Sequence, residues 1–106
     1  MLVAQSITSD LIRSLRPVVA ALKFHSPNLA DQIVRAATSV ALNLAEGTRR
    51  TGRDKKRVYR IAAAEAQEVK MALETAAAWG FLDDGALTTP RALADRVGAL
   101  TFGLAR

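Results

Sequence analysis

Apolar residues in this chain recur three and four positions apart, and never in the period-two alternation of a half-buried strand. Four stripes can be read. The first is Ile7, Leu11, Leu15, Val18 and Leu22; the second is Leu29, Ile33, Ala36/Ala37, Val40 and Leu44. The third runs through Val58, Ile61/Ala62, Ala66 (or Glu65), Val69, Leu73 and Ala76, with Trp79 one step further; the fourth is Leu93, Val97, Leu100 and Leu104. Each is the buried face of an amphipathic helix, and nothing else in the chain competes with that reading.

Helix breakers divide the stripes. Pro17 falls inside the first, where it removes a backbone donor and predicts a kink near Leu15–Arg16. Ser26-Pro27-Asn28 reads as a fresh start, with Ser26 as N-cap and Pro27 in the first turn. Gly47 reads as the C-terminal cap of the second helix, and Thr48 to Gly52 as a short turn. The third helix would span about 40 Å at about 1.5 Å per residue and end at Gly80. Leu82 to Thr88 reads as a loop, after which Thr89 caps a last helix with Pro90 at its first position. The helices are expected over about residues 5–24, 28–46, 54–79 and 90–104. With short connections, they predict a single all-α domain over 1–106, an up-and-down antiparallel four-helix bundle.

Composition bounds what such a bundle can do. Alanine supplies much of the apolar half of the 106 residues, so the core is thin at about 25 cal/mol per Å² of buried apolar surface, and association of copies is expected. The chain has no cysteine, which excludes disulfides, thiolate metal sites and a cysteine nucleophile. The start, Met1-Leu2-Val3-Ala4-Gln5-Ser6, lacks the basic and apolar regions of a signal peptide. No run reaches the roughly 18 to 20 apolar residues that span a bilayer. A cytoplasmic protein with no membrane partner is the expectation.

The net charge of +5 is localised. Between Arg49 and Arg60, seven bases (Arg49, Arg50, Arg53, Lys55, Lys56, Arg57 and Arg60) face one acid, Asp54, so the segment carries +6. The remaining eight bases and nine acids give −1. Cations at a helix start oppose the macrodipole, at a cost of about 0.3–1 kcal/mol each, so their placement suggests use elsewhere. Phosphate neutralisation is the chemistry they fit, although only Tyr59 interleaves to stack on a base. Gly47-Thr48-Arg49-Arg50-Thr51-Gly52-Arg53-Asp54 is superficially like a phosphate-binding loop, but it fails at the last two positions and follows a helix rather than a strand.

A second constellation is polar. Arg35, Asn43, Glu46 and Glu68 form a polar set across an antiparallel hairpin, with Asn43 and Glu46 near Asp54 to Arg60 and Arg35 near Glu65 to Glu68, that should fix bundle register or subunit contacts. A direct Arg35–Glu68 contact is expected. The only histidine, His25, has no glutamate three residues before it, so the di-iron pattern of bundles is missing and no metal or other cofactor is implied. His25 is expected to face solvent or cap a helix end; Trp79 and Phe81 are expected to plug the end of the core, the alternative being an exposed partner site. An acid/base site is the alternative reading of the polar set, and the structural, non-catalytic one is preferred.

The segment Gln32-Ile33-Val34-Arg35-Ala36-Ala37-Thr38-Ser39-Val40, continued by Asn43-Leu44-Ala45-Glu46-Gly47, resembles the signature helix of the four-helix-bundle family of 23S rRNA intervening-sequence proteins. Tyr59-Arg60-Ile61-Ala62, Glu68 and Trp79-Gly80-Phe81-Leu82 are similar to its next helix, with Ala64-Glu65 in place of the usual Gly-Ser and the aromatic shifted to Val58-Tyr59. The resemblance covers Leu29 to Leu82 and implies a bundle that assembles as a homopentamer. It extends to the accessory proteins of diversity-generating retroelements, basic pentamers that associate with a reverse transcriptase and nucleic acid. Together these readings predict a non-catalytic oligomer presenting a basic surface to RNA or DNA, beside a protein partner; the alternative is a scaffold with no nucleic-acid role.

Overall fold

A computed structural model describes all residues, 1–106. Four helices and no strands are present: α1 (Val3–Leu22), α2 (Pro27–Gly47), α3 (Gly52–Ala78) and α4 (Asp84–Ala105). Each helix packs on the next and α1 packs on α4, closing a four-membered arrangement of 43 × 22 × 19 Å. The links, Lys23–Ser26, Thr48–Thr51 and Trp79–Asp83, are too short to do anything but reverse the chain, so neighbouring helices are antiparallel and α1 runs the same way as α3.

The first three stripes supply most of the core, led by Leu11, Leu22, Ile33, Leu44 and Leu73 with alanines between them, and Leu87 joins it from the segment expected to be a loop. Thr8 and Thr101 are buried among them without cost. Each hydroxyl donates to the carbonyl one turn back, Thr8 Oγ1 to Ala4 at 2.7 Å and Thr101 Oγ1 to Val97 at 2.8 Å. No buried side-chain polar atom lacks a partner. Ser26 caps α2 as expected, accepting from the Leu29 N–H at 3.1 Å with Pro27 next to it. The helix α1 continues through Pro17, which is exposed.

Three expectations need correction. The last helix starts six residues before Pro90, because Asp83 Oδ1 accepts the Ala86 N–H at 2.9 Å and acts as the cap that Thr89 was expected to provide. Pro90 lies buried inside α4, and the core stripe is Leu87, Pro90, Ala94, Val97 and Thr101, which leaves Leu93, Leu100 and Leu104 on its flank, half-buried. Gly47 is not a left-handed cap; it is the last helical residue of α2, buried, with Thr48 after it still right-handed. Its lack of a side chain serves packing. A Cβ there would overlap the Tyr59 ring, falling 2.7 Å from Cδ1 and Cζ and nearer still to Cε1. Trp79, expected to plug the core, is 72 % exposed.

The Gly47–Tyr59 contact fixes how closely α2 and α3 approach at the turn end. Gly47→Ala is expected to cost about 1–3 kcal/mol through overpacking, and the loss should appear as a lower denaturation midpoint with an unchanged urea m-value.

Candidate nucleic-acid interface

The basic segment occupies the α2–α3 turn and the first two turns of α3. The turn is tight: the Arg49 N–H donates to the Glu46 carbonyl at 3.0 Å and the Arg50 N–H to that of Gly47 at 3.3 Å. Thr51 is extended, and Gly52 enters α3 at φ +57°, a left-handed conformation that costs other residues roughly 1–2 kcal/mol. The chain therefore reverses within four residues and spreads its cations over the end of the bundle.

The seven cations divide into two groups. Arg50 donates from Nε and Nη2 to Glu46 Oε1 at 3.0 and 2.6 Å, and from Nη1 to Asp54 Oδ2 at 2.7 Å. Arg57 donates to the other oxygen, Asp54 Oδ1, from Nη2 at 3.0 Å. This chain of four ties the end of α2 to the start of α3. Its hydrogen bonds to Glu46 and Asp54 raise the Arg50 pKa above its ordinary value, and hydrogen bonds from Arg57 and then Arg50 hold the Asp54 carboxyl below the usual carboxylate range. Arg49, Arg53, Lys55, Lys56 and Arg60 enter no ion pair, and all but half-buried Lys55 are exposed. Tyr59 is buried against Gly47, so no aromatic in the patch is available to a base.

The polar set divides between two places, with Glu46 joined to Asp54 through Arg50 and Arg35 beside Glu65 and Glu68. Asn43 Nδ2 donates within its own helix to the Ser39 carbonyl at 2.9 Å, and Glu46 joins the Arg50 chain. Arg35 and Glu68 form no ion pair within the chain; Arg35 reaches back one turn to Asp31 at 3.5 Å. Arg35 and Glu68 do line one polar hollow between α2 and α3, with Gln32, Ala36, Ser39 and Glu65. Glu65 lies where it is expected opposite Arg35, and its i,i+3 spacing from Glu68 puts both carboxylates on one face. Partial burial, then hydrogen bonding to Glu68 and its charge, push the Glu65 carboxyl up. At the far end of the same seam the His25 and Phe81 rings stack at 5.2 Å and Trp79 stacks on Phe81 at 6.1 Å. No group of three or more His, Asp or Glu side chains is arranged to hold a metal ion.

The signature residues thus lie on a helix pair whose fold can be compared with known proteins. The 23S rRNA-intervening sequence protein family matches residues 5–103. The chain belongs to that family. A crystal structure of a protein of unknown function from the S23 ribosomal protein family of Bacteroides thetaiotaomicron superposes with a TM-score of 0.84 over 98 % of this chain and 99 % of that one. At 18 % identity, it shows that this intervening-sequence family member shares its fold. No curated protein matches the sequence. No helix of this family member is long and apolar enough to cross a membrane.

Two pH dependences follow. The Asp54 carboxylate is favoured in the folded state, so its contribution is complete above the ordinary value of 3.8 and is lost as pH falls through the lower folded value. Asp54→Asn should therefore be less stable than the parent at neutral pH, with the difference closing in strong acid. Glu65 has the opposite sign: its penalty is present above its raised folded pKa and gone below 4.5. At concentrations where copies are dissociated, Glu65→Gln should raise the neutral-pH denaturation midpoint, and the gain should vanish below that pH.

Proposed function

We propose that this protein is a non-catalytic, cytoplasmic assembly of identical bundles, a homopentamer by family resemblance, that binds RNA or DNA through the α2–α3 turn and acts beside a protein partner. One observation carries the reading. Of seven clustered cations, Arg50 and Arg57 are held by carboxylates and shape the turn, while Arg49, Arg53, Lys55, Lys56 and Arg60 have no protein counter-charge. Unpaired cations at the positive end of α3 raise the energy of the isolated chain, and polyphosphate is the ligand that relieves it.

The absence of an exposed aromatic in this patch favours backbone recognition over base readout. Binding should then depend strongly on salt and weakly on sequence. Several copies in one assembly would make phosphate binding multivalent and strengthen it beyond that of a single turn. The Arg50–Asp54–Arg57 chain supports this reading by presetting the turn, which lowers the ordering cost of binding.

The test is a titration against RNA and against single- and double-stranded DNA at several salt concentrations, beside an Arg49→Ala/Arg53→Ala/Lys56→Ala variant. The wild type should bind at about 50–100 mM salt. The variant should bind more weakly, with a log–log salt slope shallower by roughly 0.7–0.9 for each phosphate it no longer neutralises. No salt-sensitive binding by the wild type would leave a scaffold without a nucleic-acid role.

A further inference from the structure

The long seam between α2 and α3 is not finished by its own chain. Two hollows, of about 490 and 380 Å³, share Gln32 and Glu68 and run from Ser39 and Glu65 to Trp79 and Phe81. One end is apolar: Met71 is 65 % exposed and Trp79 72 %, next to Leu29 and Ala72. The other holds Glu65 and Glu68, neither in an ion pair, with Arg35 turned to Asp31. Phosphate is repelled there, so this seam is not part of the nucleic-acid surface.

A complementary surface lies on the outer face of α1. Arg13, Arg16 and Ala20 project away from the core at helical spacing, followed by Phe24, which is 89 % exposed just past the helix end. Arg16 pairs with nothing, and Arg13 meets only Asp10 on its own helix at 3.1 Å. The spacings agree. Arg13 to Arg16 and Glu65 to Glu68 are each three residues, and in that register Phe24 falls opposite Ala76, between Met71 and Trp79. In both cases the charge comes first and the exposed aromatic later in the chain.

We infer that α1 of one copy lies in the α2–α3 groove of the next, with Arg13 and Arg16 against Glu65 and Glu68 and Phe24 against Met71 and Trp79. This rests on the reading that copies associate, and adds which faces meet. The contact is head-to-tail, so it builds a ring if its rotation closes. Because α1 and α3 run the same way within a bundle, the register makes successive copies parallel. Every basic α2–α3 turn then falls on one rim of the assembly, while every groove is filled. Apolar area from Phe24, Trp79 and Met71 supplies attraction, and the charge pairs set register.

The test uses full-length Glu65→Lys/Glu68→Lys and Arg13→Glu/Arg16→Glu variants, with helicity by circular dichroism as the folding check. Assembly is followed by sedimentation velocity. Wild type should associate at micromolar concentration, and each variant alone should associate at least about tenfold more weakly. Combining all four substitutions in one chain should restore association, because reversed α1 then meets reversed groove at every contact, whatever the number of copies. Two-site variants that assemble like wild type, or a folded fourfold variant that does not recover, would overturn the inference, since the groove would then serve some other occupant. A wild type that is monomeric at about 100 µM overturns it too, together with the oligomer reading. The salt titration of the basic turn is scored separately, so a monomer that binds nucleic acid sinks this proposal alone.

Discussion

The bundle depends on one close approach. At the end of α2 the chain has no side chain at Gly47, and the Tyr59 ring fills that space. The contact sets the separation of α2 and α3 at the turn, and the turn is only four residues long. The charged end of the molecule is therefore held by packing beneath it. Interiors as dense as organic crystals leave no slack for a methyl group there. The same tyrosine, which by type could have stacked on a base, is spent on the core.

Electrostatics then acts on a framework that packing has already set. Exposed ion pairs are worth little individually, and the Glu46–Arg50–Asp54–Arg57 chain is exposed enough that its main effect is orientation. It joins two helix ends and leaves the other cations of the turn unpaired. Arg91 does similar work on the opposite side, tying Glu74 of α3 to Asp84 at the start of α4. Both links sit where helices begin or end and unsatisfied backbone groups concentrate.

The two unsatisfied surfaces of the molecule differ in sign and place. The turn is positive and lies at one end; the groove is acidic and aromatic and runs along the side toward the other. Separation of this kind lets a bundle associate laterally without consuming its basic end. In a thin, alanine-rich core such association would have an energetic role as well, since burying the exposed Trp79, Met71 and Phe24 would add apolar area that one copy does not bury.

Periodicity alone determined the helical class, the number of helices and most of the core, because a 3.6-residue repeat admits one buried face per helix. Ser26 was legible as a cap for the same local reason. The start of α4 was not, since Asp83 and Thr89 are both good caps and only the buried position of Pro90 in the stripe chose between them. The charge of the turn was equally plain in the sequence, but its division was not. Which arginines are held and which are free depends on carboxylates brought near by the chain reversal. The role of Gly47 and the exposure of Trp79 belonged wholly to the tertiary structure. Close approach and solvent exposure are properties of pairs of helices, and a single helix's sequence carries no record of its neighbour's distance.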